Sequence, residues 1–148
     1  MTKKLIKLFL RLSISAGFLS AVADRFGWWS PDVSVWGTWD KFVEYSQLIN
    51  PWFPGGMIAG VAAVATGAEL IFGFFLLVGF RTELFAKLSG FLMLAFGLAM
   101  TFSTGMKAAF DYSVFAASAG AFALSVMKEQ YLEVDAVIAK QRFDKNAD

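Results

Sequence analysis

Residues Gly55–Phe80 read GGMIAGVAAVATGAELIFGFFLLVGF, a run whose only polar side chains are Thr66 and Glu69. About 25 apolar residues, rising 1.5 Å each as a helix, are enough to cross the hydrocarbon core of a bilayer. A carboxylate in such a span is costly. Glu69 must therefore face protein or water and be paired, hydrogen-bonded or protonated. Three further apolar stretches can surround it. The expected fold is an all-α membrane protein, a four-transmembrane-helix bundle with spans at about 5–26, 56–80, 84–106 and 108–127.

Composition supports that class. Hydrophobic residues make up 57% of the 148 and charged residues only 17%, against about a quarter charged in soluble domains. The 17 Phe and 5 Trp exceed what a small soluble core could hide. A net charge of +1 argues against a nucleic-acid partner, which calls for a basic face. The chain has no Cys and no His. Disulfides, thiol chemistry, Cys-ligated clusters and His-ligated haem or zinc are excluded, as is the commonest general base near neutral pH. No metal site is expected, and no cofactor is evident.

Lys3, Lys4 and Lys7 precede the first apolar run, and Ala21-Val22-Ala23 resembles a signal-peptide cleavage site. Arg11 inside the run argues instead for a retained first helix. Residues 27–55 then form a Trp-rich outer loop. Within it, Trp39, Phe42, Val43, Ser46 and Ile49 fall at helical spacing behind Thr38, predicting an amphipathic helix over about 38–49 with Thr38 as its N-cap. Trp28, Trp29, Trp36, Trp39 and Trp52 all lie in this loop. They form either a belt at the headgroup level or an aromatic lid over a cavity mouth. Arg81-Thr82-Glu83 is a tight turn that sends the third span back beside the second. Residues 129–148 form a charged tail, in which Tyr131, Leu132, Val134, Val137, Ile138 and Phe143 are spaced for a surface helix.

Ten Lys and Arg flank the spans on one side and three on the other. The excess of positive charge belongs in the cytoplasm, which puts both termini there and the Trp-rich loop outside.

Each span carries one stripe of small and polar residues, the kind that packs helices in lipid: Ser13, Gly17, Ser20 and Asp24; Ala62, Thr66, Glu69 and Gly73; Gly90, Gly97, Thr101 and Thr104; Asp111, Ser118 and Ser125. Counting helical rise from the presumed cytoplasmic edge puts Glu69 about 18 Å deep and Arg11 about 10 Å deep. An intramembrane Arg11–Glu69 pair is one expectation; Arg11 snorkelling to the headgroups is the other. Asp24, Arg25, Lys107, Asp111 and Tyr112 should share a height near the outer ends and form a polar mouth, either a salt-bridge network or a site for a small polar or quinone-like headgroup.

Three stretches carry a family resemblance: Phe18–Gly27 (FLSAVADRFG), Leu48–Trp52 (LINPW) and Lys107–Phe115 (KAAFDYSVF). With Arg11, Glu69 and the Leu77–Thr82 exit, the chain up to about Met127 resembles the DoxX family, in one of its uncharacterised subgroups. Many members carry a Lys near the end of the first helix, where this chain has Asp24-Arg25. The resemblance implies a small bacterial inner-membrane protein, with some relatives linked to quinone-coupled oxidation.

Three functions follow as expectations. The first is a structural or partner-binding membrane subunit that meets other membrane or redox proteins, or copies of itself. The second is binding or transport of a small lipophilic molecule or lipid within the bundle. The third is a component of a quinone-linked oxidoreductase, in which Arg11, Glu69 and Tyr112 serve a quinone. Whether the protein is an enzyme stays open. A cavity reaching Glu69 separates the last two from the first.

Overall fold

A computed structural model describes residues 1–145, with side chains described through Gln141. Phe143, counted in the face of the expected tail helix, and the end of the tail lie outside the described side chains. The described chain is all helical: α1 Thr2–Arg25, α2 Trp39–Ile49, α3 Gly55–Val78, α4 Thr82–Ser103, α5 Met106–Asp111, α6 Val114–Ser125 and α7 Val134–Lys145. By length and composition α1, α3 and α4 can each cross a membrane, while α6 is a shorter apolar helix. The molecule therefore has the make-up of a membrane-embedded protein.

Packing runs α3–α1–α6–α4 and closes through α3–α4, with α2 laid across α3 and α4 at one end. The antiparallel register of α1 on α3 is set where Gly73 lets the helices approach. A Cβ there would lie 3.2 Å from Phe18 and Leu19 side-chain atoms. At the same level the Ser15 hydroxyl donates to the Gly73 carbonyl at 2.7 Å. Glycines serve α4 and α6 likewise: Phe122 fills the space over Gly90 and Phe115 that over Gly97, and Ser118 donates to the Gly90 carbonyl at 2.8 Å. In lipid such close contacts and buried hydroxyls replace the hydrophobic effect as the force between helices.

Three local features follow from sequence chemistry. Thr38 caps α2, its hydroxyl accepting from the Lys41 amide. Gly79 ends α3 in the left-handed conformation at φ 71°, with the Phe80 amide donating back to the Phe75 carbonyl. The fourth apolar stretch, expected as one helix over 108–127, is two. Ser113 adopts φ 55°, closing α5 and opening α6. The polar trio Asp111-Tyr112-Ser113 interrupts the apolar run there, and serine and aspartate side chains compete for backbone groups that a helix would otherwise use.

The small-residue stripe of α3 is buried as expected: Ala62, Thr66, Glu69 and Gly73 all face inward. On α1 the expected stripe is buried only at Asp24, with Ser20 half-buried and Ser13 and Gly17 turned outward; the rest of the buried face is Lys7, Arg11, Ser15, Phe18, Val22 and Arg25. The two faces of α1 carry equally plausible polar residues. Contact with α3 and with the C-terminal segment decides between them.

Candidate functional site: a cavity around Arg25 and Glu69

The expected Arg11–Glu69 pair is not formed. Glu69 meets Arg25, whose Nη2 donates to Oε1 at 3.0 Å while Nη1 lies 2.5 Å from Oε2. Nη1 directs its own hydrogen bond to the Thr66 hydroxyl, 2.7 Å away. Thr66 sits one turn before Glu69 on the same face of α3, so both receive one guanidinium. Arg25 and Glu69 are 3% and 2% exposed, as deep as the apolar core. The guanidinium face is covered by aromatics, with Cζ 3.7 Å from the centroid of Phe42 and 5.3 Å from that of Trp36.

Register explains the exchange of partners. With Ser15 level with Gly73, Glu69 lies level with residue 19, roughly midway between Arg11 and Arg25 in axial distance. Arg25 is the nearer of the two. Arg11 is claimed by Glu133, a residue that sequence reasoning did not single out. Glu133 accepts from Lys7 at 2.9 Å, from Arg11 at 3.4 Å and from the Thr82 hydroxyl at 3.1 Å. Arg11 also donates to the carbonyls of Leu132 (2.5 Å) and Tyr131 (3.4 Å). Asp135 completes this dock, its carboxylate accepting from the Arg81 and Thr82 amides at 2.8 and 2.9 Å, where the start of α4 has unpaired donors. The one sequence signal for Glu133 was the need of Lys7 and Arg11, both on an apolar helix, for counter-charge.

At the α2 end a cavity of about 780 Å³ opens between the helices. Its walls are mainly apolar, including Phe18, Val61, Ala65, Met93, Phe96 and Met100, and Arg25 and Glu69 both line it. After the bonds above, Arg25 Nε and Glu69 Oε2 have no hydrogen-bond partner among the described residues. Asp24 also lines the cavity, but its oxygens are engaged. They accept from the Ser34 hydroxyl and from the Val35 and Trp36 amides, the latter at 2.8 Å. Asp24 ties the loop down over the cavity.

Of the expected polar mouth, the structure brings Asp24, Arg25 and Tyr112 to this cavity and leaves out Lys107 and Asp111. Those two pair with each other at 2.5 Å one helical turn apart on α5, both largely exposed. Tyr112 stands 63% exposed near Tyr45 of α2. Burial, with the nearby Tyr112 hydroxyl, pushes the Tyr45 phenol above its ordinary pKa. Of the expected aromatic lid, only Trp29 and Trp36 line the cavity. Trp29 is held by its Nε1–H donating to the Ser20 carbonyl at 3.2 Å. Trp39 packs on Phe26 and Phe42, and Trp28 and Trp52 are exposed. Among the described residues no group of three acidic side chains is arranged to hold a metal ion.

Comparison of the chain with protein-family models, with curated proteins and with solved structures found no match.

Proposed function

We propose that the chain is a four-span, DoxX-like protein of the bacterial inner membrane, termini in the cytoplasm, that holds a small lipophilic molecule in the cavity beneath α2. The observation that carries this reading is the cavity itself: about 780 Å³, apolar-walled, with a buried arginine–carboxylate pair on its lining. Small-molecule sites have volumes of roughly this size, with a few convergent polar groups among apolar walls. Ionisable groups inside membrane bundles commonly mark such sites or pathways. A purely structural subunit would be expected to fill its interior, and this space weighs against that role.

The test is extraction and mass spectrometry of molecules carried by the purified protein, compared with Ala65→Phe. Ala65 lines the cavity without touching the ion pair in any hydrogen bond. A phenyl ring there should abolish a roughly stoichiometric passenger. An identical extract from both proteins would count against the reading.

A quinone-linked role is the second reading, favoured by the two phenols of Tyr45 and Tyr112, both of which border the cavity. Since the chain has no Cys or His, electrons would have to come from a redox partner.

A further inference from the structure

Three seams of the bundle are closed by side chains packed across them. Gly73 admits Phe18 and Leu19 between α1 and α3, and nearer α2 Arg25 crosses the same seam to Thr66 and Glu69. Phe122 and Phe115 fill the space over Gly90 and Gly97 between α4 and α6. Phe72 and Phe75 stack on Phe85 between α3 and α4, whose other end α2 covers. The α1–α6 seam differs. Away from α2 it is packed, with Leu10 against Gly120 and Leu124 and Phe18 clustered with Ala121. Toward α2 the cavity comes between the two helices, lined by Gly17, Ser20 and Ala21 of α1 and by Val114 and Ala117 of α6. A Cβ built on Gly17 would meet nothing within 4 Å.

The exposed residues of the lining locate the opening. They are Gly17, Trp29, Val33, Val35, Tyr112 and Ala117, whereas every lining residue of α2, α3 and α4 is buried or half-buried. Gly17 stands eight residues before Arg25, about 12 Å along the axis of α1, so the opening reaches well into the apolar length of that helix. The charged groups on the wall are taken. Arg25 and Glu69 hold each other almost out of solvent contact, and Asp24 accepts from the loop. The Ser46 hydroxyl donates to the Phe42 carbonyl at 2.8 Å. A mainly apolar cavity gives water few partners, and one that opens along a membrane-spanning helix meets hydrocarbon. We infer that the cavity opens sideways into the bilayer between α1 and α6 and takes up the hydrocarbon chain of a membrane lipid, a route and ligand class that rest on the lipophilic-ligand reading above. The lipid headgroup stays near Tyr112, at the level where tyrosines border a membrane.

The experiment uses the full chain in phosphatidylcholine nanodiscs in which part of the lipid carries a diazirine at mid-chain. Irradiation is followed by peptide mass spectrometry. Met93 and Met100 line the cavity and are buried, so lipid around the bundle reaches them only from inside. Phe74 and Phe91 are exposed on α3 and α4 and report that surrounding lipid. All four should be labelled in the unmodified protein. Ala117→Trp places an indole in the opening, and Gly17→Leu narrows it from the facing helix. Both positions are exposed, and the adducts on Phe74 and Phe91, with an unchanged unfolding temperature, check that the bundle is intact. Each variant should abolish the adducts on Met93 and Met100. Unlabelled methionines in the unmodified protein, as when a second copy of the chain covers the opening, overturn the inference. So do interior adducts that survive both variants. The passenger comparison with Ala65→Phe then separates the two readings: a passenger that this variant removes leaves ligand binding standing by another route, and one that it retains takes both down.

Discussion

Glu69 and Glu133 are both buried carboxylates, 2% and 5% exposed, each facing an arginine of α1. Their surroundings differ. Glu133 is shared by Lys7, Arg11 and Thr82 and packed against Gly79 so closely that a Cβ on that glycine would lie 2.3 Å from its own Cβ. Glu69 has one cationic partner, keeps an oxygen free of hydrogen bonds and borders a cavity. The first arrangement fastens the segment after α6 to the bundle, joining residues more than 120 positions apart. The second places a mutually neutralised pair on the wall of a cavity. A carboxylate held by three side chains in a packed setting resists change, whereas a single ion pair beside open space can adjust to a neighbour.

The contrast can be broken by removing each carboxylate. Glu133→Ala strands two buried cations and should have the largest effect, roughly 3–5 kcal/mol, the usual cost of leaving a buried charge unpaired. Thermal unfolding in detergent would measure it, and limited proteolysis should find the segment around residues 129–135 newly cleavable. Glu69→Gln keeps the shape and a carbonyl oxygen to which the Arg25 guanidinium can donate. A loss of only about 1–2 kcal/mol is expected there. Equal losses at the two positions would erase the distinction. Ala65→Phe fills space without uncovering a charge, so unfolding should move by no more than about 1–3 kcal/mol, the range for overpacking, while the bound passenger disappears. Lys107→Ala sharpens the comparison from the other side. Its pair with Asp111 is exposed, and stability should change by less than about 0.5 kcal/mol.

Much of the fold was legible because membrane helices announce themselves locally. The long apolar runs, the Thr38 cap and the buried face of α3 each follow from a few neighbouring residues. The site was legible in its parts but not in its pairing. Glu69 and Arg25 were both marked as site residues, yet depth along the helices favoured Arg11 as the partner. The two α1 arginines lie on either side of Glu69 in height, and nothing in the α1 or α3 sequence sets the register that decides between them. The mouth was misgrouped for a related reason. Lys107 and Asp111 sit on α5, which the turn at Ser113 separates from α6, and pair with each other there.

By itself, then, the sequence determined that long apolar helices with few buried charges would form, because hydropathy and helical rise depend only on neighbours along the chain. Tertiary structure alone decided which charges meet. Counter-charges select partners by distance in space, and Glu133, remote in sequence from Arg11, takes that arginine and leaves Glu69 to Arg25 at the edge of the cavity.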